Sequence, residues 1–363
     1  MGINEIETPC IIVDYEKLIK NIEEMSNFAK VYNKNLRPMI KTHKSIEIAK
    51  IQKDYGIIGI QCAKLSEAEI FASYGFDDIF ISSEIVDDLK IVRAKNLSRK
   101  IKKLILAVDS IYGVKKLGEN FKDGKIFVRI EIDSGHHRCG IKADDVLTLY
   151  KEIEKYPGLI FEGVFTHGGQ VYSSKSKEER ESFSYDEANE VLKAKKILEE
   201  NNIKCEVVSI GSTPSAFIGG KVEGITEIRP GNYVFYDYKQ VKLGVVKIDR
   251  VSLFVLTQVI SKPDKDRIIV DAGIKSLSLD NIIEDEEKIY GYILEHPNAK
   301  IYNLSEEHGW VKIKEDSKID IGDKIKIIPI HSCLIMSNFD NFYLVKGNEV
   351  LAKYNIEARG KFE

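Results

Sequence analysis

The sequence predicts an α/β chain: a (β/α)8 barrel of the TIM type followed by a C-terminal all-β domain. Three observations predict it. Short β-branched runs alternate with segments of helical spacing over the first two-thirds of the chain. Near residue 245 that alternation stops, and short strands separated by turn signals take over. The 363 residues are too many for one ordinary domain and suit a large domain with a smaller one.

Taken in order, Cys10–Val13 reads as a strand that precedes the first helix and is grouped with the C-terminal β domain. Tyr15–Tyr32 is a helix, because Leu18, Ile22, Met25 and Phe28 recur every three or four residues. Strands follow at Leu36–Ile40, Ile57–Cys62, Asp78–Ser82, Lys103–Val108, Ile126–Ile132, Ile160–His167, Cys205–Ile210 and Glu227–Arg229. Ser174–Asn201 is the longest helix among them. Eight strands separated by helices predict a parallel sheet, since each βα crossover returns the chain in the same direction. Such units in roughly 220 residues approach the typical size of a closed barrel, about 250. A doubly wound open sheet has the same periodicity and stays open as the alternative. Beyond the barrel, Val251–Ile260, Arg267–Val270, Lys288–Leu294, Ile301–Leu304, Trp310–Ile313, Lys324–Ile330, Phe342–Val345 and Val350–Tyr354 read as strands. Gly322-Asp323 and Gly347-Asn348 mark turns between them. The domains are therefore 14–245 for the barrel and 1–13 plus 246–363 for the β domain.

Composition narrows the function. The hydrophobic fraction is 43% and the charged fraction 31%, both ordinary for a soluble globular protein. A formal net charge of -3 gives no electrostatic case for nucleic acid or an anionic membrane as partner. No apolar run approaches the ~18 residues that span a bilayer. Met1–Glu5 lacks the basic flank and apolar core of a signal peptide. Five cysteines at 10, 62, 139, 205 and 333, an odd number without a CxxC, predict reduced thiols and a cytoplasmic location.

In a barrel, chemistry collects where strands end at their C-termini. Here those ends are Lys41-Thr42-His43-Lys44, Asp133 with Arg138, His167-Gly168-Gly169, Gly211-Ser212-Thr213 and Arg229-Pro230-Gly231-Asn232. A lysine after the apolar strand end Pro38-Met39-Ile40 can be desolvated, which lowers its pKa and favours imine formation. Alone, such a lysine is more simply a surface residue. Its company argues otherwise. Gly211-Ser212-Thr213-Pro214 is a turn whose backbone N–H groups and hydroxyls suit a phosphate, although plain helix capping reads the same way. Arg229-Pro230-Gly231-Asn232 follows one strand later, and barrel phosphate sites are often built from the seventh and eighth loops.

Together with Thr8-Pro9, Arg37–Lys44, Cys62-Ala63-Lys64, Glu131–Gly135, Arg138-Cys139-Gly140, Asp271-Ala272-Gly273, Ser305–Gly309, His331-Ser332-Cys333 and Ala358-Arg359-Gly360, these motifs resemble the fold-type III enzymes that use pyridoxal phosphate, of which alanine racemase is the familiar member. Within them the chain resembles the D-serine dehydratase and D-threonine aldolase family over nearly its whole length. Order and spacing carry the resemblance; no single motif does. It implies that Lys41 forms the Schiff base with the cofactor, with Lys44 the weaker candidate. It implies that His167 stacks on the cofactor ring, that Arg138 approaches the phenolic oxygen and that Arg229 approaches the pyridine nitrogen. It also implies that Ser212, Thr213, Gly231 and Asn232 hold the phosphate and that Tyr172 is an active-site tyrosine. It further implies a homodimer and a small-molecule D-amino acid substrate.

His331-Ser332-Cys333 ends a predicted strand, where residues i and i+2 share a face. An imidazole and a thiolate on one face are zinc-type ligands, and two protein ligands leave positions open, as in a catalytic site. A chance His-x-Cys is common; the resemblance raises it to a divalent metal site, zinc foremost, acting on a substrate β-hydroxyl. Two reactions then compete: elimination from D-serine to pyruvate and ammonia, toward which Cys333 tips the reading, and retro-aldol cleavage of D-threonine to glycine and acetaldehyde. Leu334–Asn338 departs from the family's usual run after the metal motif, which leaves the substrate pocket open. An amino-acid racemase and a non-catalytic carrier of the cofactor are the remaining alternatives.

Overall fold

The computed structural model describes all residues, 1–363. Eight parallel strands form one sheet. In spatial order they are Asn35–Leu36, Glu227–Ile228, Val207–Ile210, Leu159–Phe165, Ile126–Glu131, Lys103–Val108, Asp78–Ile81 and Ile60–Cys62. The two outer strands meet, so the sheet closes: Met39 bridges Gln61, the Ile58 amide donates to the Leu36 carbonyl, and the Gln61 amide donates to the Pro38 carbonyl at 2.9 Å. The open-sheet alternative falls with that closure. Short strands suffice because each is tied on both sides.

The strand interior is not purely apolar. Phe80, Ile105, Ala107 and Phe165 pack together, with the Phe80 and Phe165 rings edge to face at 4.9 Å. Beside them runs a buried chain of ion pairs. Arg37 bonds both Asp78 (2.6 Å) and Glu227 (2.9 Å), Glu227 takes Arg129 at 2.5 Å, and Arg129 takes Glu162 at 2.6 Å. Lys103 closes the series on Glu162. Charges this deep survive only when every partner is in place. The longest helix is Lys177–Glu200; Ser176 caps it by accepting from the Glu179 amide, and its inner face carries Ser184, Glu187, Ala188, Val191, Ala194 and Leu198.

A second compact unit comprises Met1–Ile22, Thr42–Glu47 and Asn232–Gly360, the barrel unit comprising Glu23–Lys41, Ile48–Gly231 and Lys361–Glu363. Its main sheet has nine strands. Cys10–Asp14 does join it, antiparallel to Leu253–Asp264 and parallel to Asn341–Lys346. Leu253–Asp264 is the spine. It pairs with Lys324–Pro329 along one half and, past a register shift near Ser261, with Arg267–Val270 along the other.

Two expectations need correcting. The single strand Lys288–Leu294 is two, Glu287–Ile289 and Gly291–Ile293. The first of them forms a hairpin with Ile282–Glu284 through Asp285 and Glu286, both at positive φ (49° and 65°). The strand expected to run to Ile330 stops at Pro329, and Ser332–Asn338 is helical. All five cysteines are free thiols. No helix is long and apolar enough to cross a membrane.

Candidate active site

Lys41 lies in the 3-10 turn Ile40–Thr42 that follows the first barrel strand. The backbone leading to it is fixed on both sides, by Gln61 on the Pro38 carbonyl and by the Met39 amide on the Pro230 carbonyl (3.1 Å). The lysine is exposed, not desolvated as its apolar flank suggested, because it sits one turn beyond the strand end. Lys44, the other candidate, is buried in the β unit at φ 51°.

His167 follows the strand Leu159–Phe165 and is half-buried. Its Nδ1 lies 2.6 Å from the Gly211 carbonyl, which fixes the ring plane. Desolvation first, then the positive charges of Arg138, Lys41 and Arg229, push its pKa down to about 3, so the imidazole is neutral at physiological pH. Glu187, fully buried on the long helix, ties the same two loops together: one carboxylate oxygen accepts the amides of Gly168 (2.8 Å) and Gly211 (3.0 Å). Gly168 is required there, since a Cβ would stand 2.4 Å from the Glu187 carboxylate.

Arg229 is buried and heavily committed. Its Nε donates to Ser209 Oγ (2.7 Å), one terminal nitrogen to Gln61 Oε1 (3.0 Å) and the other to the Thr166 carbonyl. Phe165 and Phe80 flank its guanidinium. Burial lowers its pKa to about 10, which still leaves a cation at neutral pH. Next to it, Ser212 and Thr213 are buried, and Ser212 Oγ sits 2.7 Å from Ser215 Oγ at the start of the helix Thr213–Gly219. Gly231 is half-buried.

Arg138 is exposed, with its guanidinium 3.6 Å from the Glu131 carboxylate. Its loop is shaped by Asp133, which accepts the amides of Gly135 (2.9 Å) and His137 (3.0 Å). Burial, then the neighbouring Glu84 carboxylate, pushes the Glu131 pKa up to about 9. Tyr172 lies half-buried in the 3-10 segment Gly169–Ser173.

In the β unit, His331 and Cys333 meet through a strand-to-helix turn instead of along one strand face: His331 caps the helix Ser332–Asn338 and Cys333 is in its first turn. His331 is pushed up to about 11, foremost by the negative sulfur of Cys333, with Asp280 adding a hydrogen bond. The Asp280 carboxylate is 3.2 Å from His331 Nδ1. That is how a carboxylate orients a metal-binding imidazole, leaving Nε2 for the ion. An imidazole and a thiolate brought together, with one imidazole nitrogen already held, fit a zinc-class ion.

Asn232 also belongs to this unit. Its amide nitrogen donates to Asp237 (2.7 Å) and to Ser332 Oγ (2.8 Å), while its Oδ1 has no partner. The side chain braces the helix that carries Cys333, so any part of Asn232 in holding a phosphate would fall to its backbone. Asp237, which also accepts the Ser332 amide at 3.1 Å, completes that brace.

The cofactor fits the barrel site on chemistry. A neutral imidazole, a permanent cation in an aromatic slot, buried hydroxyls and an accessible lysine are what pyridoxal phosphate requires.

Glu187, Asp280 and Asp237 escaped the sequence reading. Glu187 left one signal: an acid beside Ser184, Ala188, Val191 and Ala194 on the inner face of its helix. Asp280 and Asp237 left none.

Comparison with known proteins shows the family of each part of the chain. Residues 13–239 match the family model described as "Alanine racemase, N-terminal domain", and residues 252–345 match "Putative serine dehydratase domain". The chain is 31% identical to D-serine dehydratase of Dictyostelium discoideum over 389 residues, covering 97% of each chain. It is 30% identical to D-threonine aldolase of Arthrobacter sp over 361 residues, covering 98% of this chain and 93% of that one. Among solved structures it matches a metal-free cysteine-to-alanine mutant of D-threo-3-hydroxyaspartate dehydratase with a TM-score of 0.91 and 28% identity, covering 98% of each chain.

Proposed function

The chain belongs to the alanine racemase N-terminal-domain family, and from that premise we propose that it is a pyridoxal phosphate-dependent, metal-assisted lyase of 3-hydroxy-D-amino acids, acting first on D-serine. The observation that carries the reading is the combination of a cationic Arg229 in the barrel with the His331–Cys333 pair in the β unit. Full-length relatives named as lyases of 3-hydroxy-D-amino acids support it.

Lys41 would hold the cofactor covalently, Arg138 its phenolic oxygen, His167 the face of its ring, and Ser212 with Thr213 its phosphate. Gly231 would contribute through its backbone, and Tyr172 would face the substrate. Bound pyridoxal phosphate supplies an electron sink for bond cleavage at the substrate's α-carbon. Arg229 limits that sink. A guanidinium placed at the ring nitrogen would donate a hydrogen bond without surrendering its proton, so that nitrogen would stay unprotonated. Reactions with a long-lived carbanion suffer; those in which a leaving group departs early suffer less.

His331 and Cys333 would bind a divalent ion, zinc by donor type, and Asp280 would keep the imidazole aimed. The ion supplies Lewis-acid polarisation of the β-hydroxyl. The metal-free form of the related dehydratase supports a metal in this lineage. With the α-proton removed and hydroxide lost, D-serine gives an enamine that hydrolyses to pyruvate and ammonia. A deprotonated β-hydroxyl instead breaks Cα–Cβ, giving glycine and acetaldehyde from D-threonine. The aldolase relative favours this as the second reading. A cytoplasmic homodimer completes the proposal; the five free thiols suit that compartment.

Product analysis tests it. Holoenzyme with zinc is given D-serine and D-threonine separately, with and without chelator. Keto acid and ammonia that vanish on chelation confirm the dehydratase. Glycine and acetaldehyde move the assignment to the aldolase. No product from either returns it to a racemase or a cofactor carrier.

A further inference from the structure

Two acidic side chains, Glu84 and Glu131, lie side by side in the barrel unit. Glu131 ends the strand Ile126–Glu131 and is only 3% exposed. One of its oxygens lies 3.6 Å from Arg138; the other, Oε2, is buried with no hydrogen-bond partner. Glu84, in the loop after the strand Asp78–Ile81, likewise has a buried Oε1 without a partner. The Cys139 thiol completes the group, with one donor atom from each of the three residues lying within 4.8 Å of the others.

We propose that Glu84, Glu131 and Cys139 form a binding site for a divalent cation of the zinc class, separate from His331 and Cys333. The orphaned Oε2 of Glu131 is the independent sign of a ligand. Neither buried oxygen has a donor unless the two carboxyl groups share a proton, and a bound cation would take that proton's place. Charge balance agrees. With the proton shared by the two carboxyl groups and the thiol proton displaced, two carboxylates and a thiolate carry three negative charges, matched by Arg138 and a divalent ion. Size agrees as well: two metal–ligand bonds end to end span about 4.3 Å, so a small closure of the Glu84 loop seats the ion. The sulfur favours zinc over magnesium or calcium. The ion would staple the Glu84 loop to the loop carrying Arg138 and Cys139, fixing Arg138 on the barrel rim. Binding releases two protons to solvent, the one shared by the two carboxyl groups and the one on the Cys139 thiol.

The site does not depend on the proposed reaction, and the test separates the two. Cofactor-loaded protein is dialysed against zinc, and bound metal is measured by mass spectrometry per chain. Wild type is expected to hold two equivalents, with one in Glu84→Gln, one in Cys139→Ser and one in His331→Ala. The double variant His331→Ala/Glu84→Gln should hold none. Glu84 is half-buried and glutamine is its isostere, and Cys139→Ser is an independent second probe should one variant misfold. Cobalt(II) added to Cys333→Ala protein should still give a thiolate-to-metal absorption band, lost when Cys139→Ser is added. A single equivalent lost in His331→Ala and unchanged in Glu84→Gln overturns the proposal, and the two carboxyl groups then share a proton instead.

Discussion

Removing Glu187 should loosen the barrel rim without touching any reacting group. In Glu187→Ala the amides of Gly168 and Gly211 lose their common acceptor in a fully buried place. Each unpaired buried donor costs about 1–3 kcal/mol, so the substitution should cost about 2–6 kcal/mol before the cavity is counted. Against a typical total of about 5–15 kcal/mol that is a large loss. Glu187→Gln keeps a carbonyl oxygen in the same place and should lose less than half as much. The effect should also reach the cofactor, because Gly211 accepts from His167 and precedes Ser212. Urea unfolding of the apoprotein gives the stability, and titration with pyridoxal phosphate gives the affinity. The expected pattern is a cofactor Kd at least tenfold weaker in Glu187→Ala and close to wild type in Glu187→Gln. An alanine variant within about 0.5 kcal/mol of wild type, the scatter of neutral surface changes, would refute the reasoning. So would a glutamine variant as damaged as the alanine one.

Other consequences follow from the same network. Asp280→Ala frees the His331 ring and should weaken metal binding about 10–100-fold, read by competition with a chelator. Glu227→Gln leaves Arg37 and Arg129 buried with too little negative charge and should cost about 3–5 kcal/mol in urea unfolding. Because Arg129 and Arg37 overcome burial to hold the Glu227 carboxyl well below the usual carboxylate range, its stabilisation is present above the unfolded value of 4.5 and is lost as pH falls through its folded value; the glutamine variant should show a flatter acid limb. His167 behaves as a base whose pKa is depressed on folding, so the unfolded chain binds the proton more readily. Stability should therefore fall as pH drops from 6.5 toward about 3, and His167→Gln should lose that part of the slope over the same window.

How far the sequence could be read depended on where each residue's partners lie. Lys103–Val108 and Arg267–Val270 have the ends expected of them, since an unbroken apolar run carries its own boundary. Ends failed where proline intervenes. Pro38 has no N–H to donate, so the regular ladder at Asn35–Leu36 stops early and puts Lys41 on a turn in solvent. Pro329 likewise ends its strand, and the following Ser332–Asn338 becomes a helix that delivers Cys333 to His331 by another route. The hairpin at Asp285 and Glu286 was hidden because neither residue is the glycine or asparagine that announces a left-handed turn. The rim residues were legible because strand ends are local. Glu187 and Asp280 were not: they act on groups 19 and 51 positions away, distances over which one sequence carries no register.

The account rests on Lys41 as the point of attachment. Holoenzyme reduced with borohydride, digested and mapped by mass spectrometry tests this directly, since reduction makes the lysine–cofactor bond permanent. The pyridoxyl group is predicted on Lys41 alone and absent from Lys41→Ala protein. The same group on Lys44, or on no lysine of the barrel, would contradict the assignment and the function built on it.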